Sequence, residues 1–335
     1  MEDHQIILSM ENKVILEINN LNVNYGDTSI LRDVSLAVSQ GEIIGLVGES
    51  GCGKSTLIHT TMGVLGKGGY VTGGEIMYDG RDVLSMSREE KRKMRGEDIS
   101  LISQNPVESF HPTRKIKSQL FEMVKMHGMD PREAKAEMLR LMSVFRLSDP
   151  ERILNSYAFE LSGGMCQRVS IAMSMVLKPK ILMADEPTSA LDVITQKEVI
   201  CELMKIRDSL GTAIVIVSHN MGVISHMADK MLVMYAGSVF EYGRKDHVIK
   251  YAHHPYTKNL VAAVPKLGKS LPRDISAAVI DRTIQGCPYC NGCKECGEMC
   301  GCHMPPLVEM EPGYFVRCHL YCKHDAHEDL ADERV

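Results

Sequence analysis

The sequence predicts an α/β fold: a mostly parallel sheet covered by helices on both faces, with an all-helical insertion and a small cysteine-rich extension. Three observations carry that expectation. Short apolar runs alternate with helical patterns along most of the 335 residues, the pattern of parallel strands joined by crossover helices. One such run, at 43–47, meets a glycine-rich loop, "GESGCGKST", which opens a helix. Six of the chain's 11 cysteines fall in "CPYCNGCKECGEMCGC" at 287–302.

Taken in order, "VILEINNLNVNY" (14–25) and "SILRDVSLAVSQG" (29–41) read as two strands around a short turn. Further buried strands are expected at 43–47, 99–103, 180–185, 213–218 and 230–235, each apolar or β-branched and bounded by polar or turn residues. "TQKEVICELMKIRDSL" (195–210) separates two of them with a helical pattern. Between 113 and 165 only helical patterns occur, which predicts the insertion. "SREEKRKMR" (87–95) reads as a solvated helix face, because acids interrupt its bases. "HHPYTKNLVAAVPKLGKSLPRD" (253–274) closes the core with a helix and a Pro/Gly-bearing linker. The expected division is 1–252 for the nucleotide-binding unit, with its helical part at about 105–165, and 253–335 for the extension.

Composition excludes several classes. Hydrophobic residues are 44% and charged residues 24%, as in an ordinary soluble protein. The net charge of -5 gives no global basic field for nucleic acid. No apolar stretch reaches the roughly 18 residues that span a bilayer, and the acidic "MEDHQIILSMENK" lacks a signal-peptide core. A cytoplasmic protein is therefore expected. There disulfides are disfavoured, and clustered thiols point to metal or cluster ligation. The 23 methionines read as gap-filling core.

Three motifs carry chemistry. Gly48, Glu49, Ser50, Gly51, Cys52, Gly53, Lys54, Ser55 and Thr56 match G-x-x-x-x-G-K-[ST] in the required strand-loop-helix setting. Glycines let backbone N–H groups curl around phosphate oxygens, and the helix N-terminus adds positive potential. Lys54 is expected to reach the β- and γ-phosphates of ATP, Ser55 to ligate Mg²⁺ and Thr56 to add a phosphate contact. In "ILMADEPTSALD" (181–192) a buried strand ends in two carboxylates. Asp185 suits the Mg²⁺ shell, and Glu186 stands where a base for the attacking water is needed. In "ELSGGMCQRVSIAMSMVL" (160–177), Ser162, Gly163 and Gly164 open an amphipathic helix, which is either a second anion site or a plain N-cap.

With these motifs in this order, joined by Gln104 in "ISQNP", "SALD" (189–192) and His219 in "VSHN", the chain resembles the ATP-binding subunits of ATP-binding-cassette transporters over about residues 14–320. "ADEPTSALDV", "MYAGSVFEYG" (234–243) and "HPYTKNLVAAVP" (254–265) are similar to the peptide/nickel importer branch, as is methionine ending the signature "LSGGM". Cys166 stands where that branch usually carries arginine.

The resemblance implies a RecA-like core, an antiparallel β-subdomain holding adenine, and a helical subdomain that docks on membrane subunits. Tyr25 would stack on adenine. Gln104 would touch Mg²⁺ and water, and His219 would contact the γ-phosphate and position the water. Asp192 would sit at the seam of a dimer in which two ATPases, identical or paralogous, sandwich two ATP molecules. The loop of one subunit would face Ser162, Gly163 and Gly164 of the other. The implied partners are two transmembrane permeases and, indirectly, an extracytoplasmic substrate-binding protein. The implied place is the cytoplasmic face of the membrane, with peptide as cargo and nickel or a metal chelate as the alternative. A soluble ATPase acting on ribosomes or DNA is the competing class. Such proteins usually carry tandem cassettes or a long coiled-coil insertion, and this chain has neither.

The branch often ends in a pattern resembling C-x5-C-x6-C followed by C-H, which Cys287, Cys293, Cys300 and Cys318 reproduce. In such importers these cysteines bind a [4Fe–4S] cluster. Two other readings stay open. Cys290, Cys293, Cys296 and Cys300 have the C-x2-C-x2-C-x3-C spacing of bacterial ferredoxins, though glycine and not proline follows. Four thiolates also satisfy Zn²⁺. Cys290, Cys296, Cys302 and Cys322 receive no role in the first reading.

Overall fold

The computed structural model describes residues 13–189, 191–263 and 284–322. The acidic N-terminal stretch before Lys13, Ala190 within "SALD" and the linker beyond Ala263 lie outside the described residues.

The chain opens with an antiparallel pair, β1 (Val14–Tyr25) and β2 (Thr28–Ser39). β3 (Ile43–Val47) is buried throughout and leads through the glycine-rich loop into α1 (Lys54–Thr61). β4 (Gly69–Tyr78) returns to pair with β1, and β5 (Arg81–Asp82) follows it. α2 (Arg88–Glu97) begins at a Ser87/Glu90 capping box and buries only Met94, so the basic run is a solvated face as expected. β6 (Ile99–Ile102) precedes the helical stretch of α3 (Ile116–Met126), α4 (Pro131–Val144), α5 (Pro150–Asn155) and α6 (Gly163–Met175). Asp130 and Asp149 cap α4 and α5, each with proline at the first helical position, where the missing N–H costs nothing. The core resumes with β7 (Ile181–Asp185), α7 (Val193–Leu210), β8 (Ala213–Val217), α8 (Met221–Met227), β9 (Lys230–Tyr235) and β10 (Ser238–Arg244). After α9 (Lys245–Tyr251) and α10 (Pro255–Ala262), the described tail holds α11 (Glu298–Cys302), β11 (Val308–Glu311) and β12 (Tyr314–Val316).

Two sheets result. A four-stranded antiparallel sheet has the order β2-β1-β4-β5. An eight-stranded sheet has the order β11-β12-β10-β9-β3-β8-β7-β6, parallel from β9 to β6 and antiparallel beyond. Parallel pairing brings the C-terminal ends of β3, β6, β7 and β8 to one edge, where ligands bind in open parallel sheets. One apolar core lies between the two sheets and includes Leu16, Leu36, Leu46 and Leu232. The other packs helices and tail against the large sheet, with Ile102, Met142, Tyr235, Tyr289 and Tyr314 among its members.

The expected parallel strands and the helical stretch are present. The tail adds something the sequence did not announce. Its strands extend the main sheet, and Cys287, Tyr289, Val316 and Cys318 belong to the same core as the helices.

Candidate functional site

The glycine-rich loop leaves β3 through Gly48, whose φ of 152° and close approach to the Met234 carbonyl leave no room for a Cβ. It re-enters at Gly53, the α1 N-cap, at φ 111° against Leu31. Between them the loop sorts its residues by side. Ser50, Gly51, Gly53, Lys54, Ser55 and Thr56 line a cavity together with Tyr25, Gln104, Asp185 and Glu186. Gly48, Glu49 and Cys52 do not line it, and Cys52 is fully buried. The Lys54 ammonium turns back into the loop, donating to the Gly48 and Glu49 carbonyls at 2.8 Å each.

Tyr25 ends β1 at the cavity wall, and its hydroxyl accepts from the Gly66 N–H at 3.3 Å. Asp185 ends β7 and is 7% exposed. Among the described residues, no group donates a hydrogen bond to its carboxylate, which favours a cation beside it. Ser55 and Gln104 line both this cavity and the next one, as Asp185 does. All three carry oxygen donors, which suits a hard cation such as Mg²⁺.

One residue on, Glu186 adopts φ 48° and sets its carboxylate between two elements. Gln104 Nε2 donates to its Oε2 at 3.3 Å, and His219 Nδ1 lies 3.1 Å from its Oε1. Four strand ends thus bring the loop, Gln104, Asp185, Glu186 and His219 together.

The signature residues lie elsewhere. Ser162 caps α6, its hydroxyl accepting from the Met165 N–H at 3.3 Å. Ser162 and Gly164 line a separate cavity with Arg146, Arg168, Asp192 and Thr195, and it shares no residue with the loop cavity. Gly163 is exposed at the same helix start. Asp192 caps α7 by accepting from Thr195 and Ile194, and these bonds hold its carboxyl below the usual range. Cys166 points inward. It is fully buried, its thiol contacts the Pro106 carbonyl at 3.5 Å, and burial pushes that thiol up to about 11.

In the tail, Cys287, Cys293, Cys300 and Cys318 line one nearly apolar cavity, which His254 and Pro305 also bound. The Cys287 N–H donates to the Cys300 carbonyl at 2.7 Å, joining the two ends of the segment. Burial, reinforced by the neighbouring thiols, pushes Cys287 up to about 12 and raises Cys293 and Cys318. Ligation must therefore displace protons. Soft sulfur donors are the type that an iron–sulfur cluster or Zn²⁺ takes. Among the described residues, no three His, Cys, Asp or Glu side chains are grouped so as to hold a metal ion, and this weighs equally on zinc and on a cluster. Two expectations are corrected here. Cys290 and Cys296 form a disulfide, although the cytoplasmic reading disfavoured one. That bond also removes the ferredoxin-like set, which needs both residues as free thiolates. Cys302 is exposed and Cys322 half-buried, both as free thiols.

Comparison with known proteins fits this geometry. Residues 31–189 match the ABC transporter family, and residues 240–300 match the family described as oligopeptide/dipeptide transporter, C-terminal region. The chain is 37% identical over 314 residues to an oligopeptide transport ATP-binding protein of Salmonella typhimurium, covering 91% of this chain and 93% of that one. It is 37% identical over 256 residues to a metal-staphylopine import system ATP-binding protein of Staphylococcus aureus, covering 76% and 94%. Its fold is similar to that of a dimeric ATP-binding cassette in a post-hydrolysis state with ADP and Pi, with a TM-score of 0.62 and 24% identity over 69% of this chain and 98% of that one. The chain belongs to the ABC transporter family, in the branch of oligopeptide and dipeptide transport ATP-binding subunits.

Proposed function

We propose that the chain hydrolyses MgATP to drive peptide import, as a peripheral subunit on the cytoplasmic face of a membrane. It would be paired with a second cassette and docked on two permeases that receive cargo from an extracytoplasmic binding protein. The observation that carries the reading is the convergence of Gln104, Glu186 and His219 beside the loop cavity that Asp185 also lines. In this reading Lys54 exchanges the Gly48 and Glu49 carbonyls for phosphate oxygens. Ser55, Gln104 and Asp185 would hold Mg²⁺, which when bound would supply charge neutralisation on the phosphates. Glu186 accepts the proton of the attacking water, and His219 orients that water. This is catalysis by positioning and charge, as phosphoryl transfer requires. Among the described residues, no helix is long and apolar enough to cross a membrane, in keeping with a peripheral subunit.

The cysteine cavity is proposed to hold a [4Fe–4S] cluster on Cys287, Cys293, Cys300 and Cys318, with a structural role. The division at residue 252 is kept as a functional one, nucleotide chemistry before it and the extension after it. Likeness to the staphylopine-system protein supports import of a metal chelate as the second reading for cargo.

The test is purification of the full chain with its membrane partners, without oxygen. Peptide-stimulated phosphate release from MgATP, with iron and sulfide in equal amounts, is the expected result. Stimulation by a metal chelate and not by peptide selects the second reading, and sedimentation with ribosomes instead of permeases overturns both.

A further inference from the structure

We propose that Tyr256 is a positioning residue for the nucleotide loop, and that the cysteine-rich segment holds Tyr256 in place through the ring of Tyr289. The inference rests on the ATP-binding reading of the 48–56 loop and adds to it a part of the chain that carries no nucleotide motif.

Tyr256 lies in the first turn of α10 and is 3% exposed. Its phenol oxygen accepts from the backbone N–H of Glu49 at 3.0 Å, across 207 residues of sequence. Glu49 stands just after the Gly48 turn and off the cavity, whereas Ser50 and most of the following loop residues face it. The bond therefore satisfies an N–H on the outer side of the loop and fixes the arc whose inner side would receive phosphate. Loss of this acceptor leaves a part-buried N–H without its partner, which favours a displaced loop.

The ring of Tyr256 is itself held. It packs 4.8 Å from Tyr235 at the end of β9, and 5.3 Å from Tyr289, at 64°, an edge-to-face geometry that aromatic pairs favour. Tyr289 lies between Cys287 and Cys290 and is 4% exposed. Its hydroxyl accepts from Asn259 Nδ2 at 2.7 Å, one turn along α10 from Tyr256. The cysteine-rich segment thus grips α10 by a ring contact and a hydrogen bond. Packed groups run without a break from that segment through Tyr289 and Tyr256 to the Glu49 N–H.

The test uses the full chain and MgATP, with Kd from equilibrium binding and KM and kcat from phosphate release. Tyr256→Phe removes one oxygen and keeps the ring. Its Kd and KM should rise roughly two- to tenfold, the range for one hydrogen bond, with a smaller change in kcat. Tyr289→Leu keeps the Tyr256 hydroxyl but removes its seat, and should weaken binding in the same direction. Tyr289→Phe, which retains the ring, should recover most of the affinity. Parental affinity in Tyr256→Phe overturns the proposal, and that variant decides the matter even if Tyr289→Leu does not fold. Failure of the underlying reading is separately visible, because the unaltered chain would then not bind MgATP.

Discussion

At the level of single residues, Glu186 is one of the non-glycine residues with positive φ among the described residues, and it lies at the site. A φ of 48° in a non-glycine residue is a strained, left-handed conformation, worth on the order of 1–3 kcal/mol when the surroundings enforce it. Here the Glu186 N–H donates to the Val217 carbonyl at 3.0 Å, so the end of β8 fixes the turn. The consequence is a carboxylate between Gln104 and His219. Glu186→Gln keeps shape and polarity but cannot take a proton at neutral pH. That variant should bind MgATP with parental affinity while phosphate release falls at least about 100-fold, the usual lower range for loss of a general base. Equilibrium binding and steady-state turnover on the same preparation measure both quantities, and unchanged turnover would assign the base elsewhere. The loop and the Asp185–Glu186 pair are legible in sequence because they are contiguous and their neighbours prescribe the strand-loop-helix setting. What a linear motif does not disclose is sidedness. Glu49 and Cys52 belong to the loop by spacing, yet the turns at Gly48 and Gly53 send them away from the cavity. Tyr256, which touches the loop from 207 residues away, carries no motif signal that ties it to the nucleotide.

At the level of elements, the parallel strands were readable because they are short, mostly buried and mostly apolar. Among the antiparallel ones, β1 and β2 were readable and those outside that pair were less so. β4, "GYVTGGEIMY", carries three glycines and is not among the expected strands; it is held as one by its pairing with β1. β11 and β12 are four and three residues long. They exist as strands by adding to the edge of β10, an event remote in sequence that no local pattern encodes. One buried group fastens that edge. Glu241 on β10 is fully buried and accepts from the backbone N–H groups of His253 and His254 at 3.0 and 3.1 Å, and from the Tyr314 hydroxyl. It therefore joins the core, the start of α10 and the tail at one carboxyl. Glu241→Leu should leave two N–H groups and a phenol without their acceptor and destabilise the chain by about 2–5 kcal/mol. Urea unfolding followed by circular dichroism measures this as a lower midpoint. A change below about 0.5 kcal/mol, the ordinary surface range, would mean that the tail is held by its other contacts.

At the level of the whole molecule, the two anion-binding features do not meet within one chain. The loop cavity and the signature cavity have no residue in common, so a site built from both needs a second cassette facing the first. Beside Asp192, which lines the signature cavity, Val193 and Ile194 are 81% and 76% exposed. Gly163 offers a way to test assembly without disturbing the fold. A Cβ there meets nothing within 4 Å, and an acidic side chain in the first turn of a helix is favourable toward the dipole. Gly163→Glu should therefore fold with parental or slightly higher stability. It should also bind MgATP normally at its own loop, because that cavity is separate. What it should lose is ATP-dependent dimerisation, since in the proposed dimer the added charge would stand where the phosphates of the facing subunit approach. Light scattering of the Glu186→Gln chain with MgATP, with and without Gly163→Glu, reads the outcome directly. A dimer that persists in the double variant would place the partner's nucleotide away from the α6 N-terminus, and the composite site would have to be built from another face of the molecule.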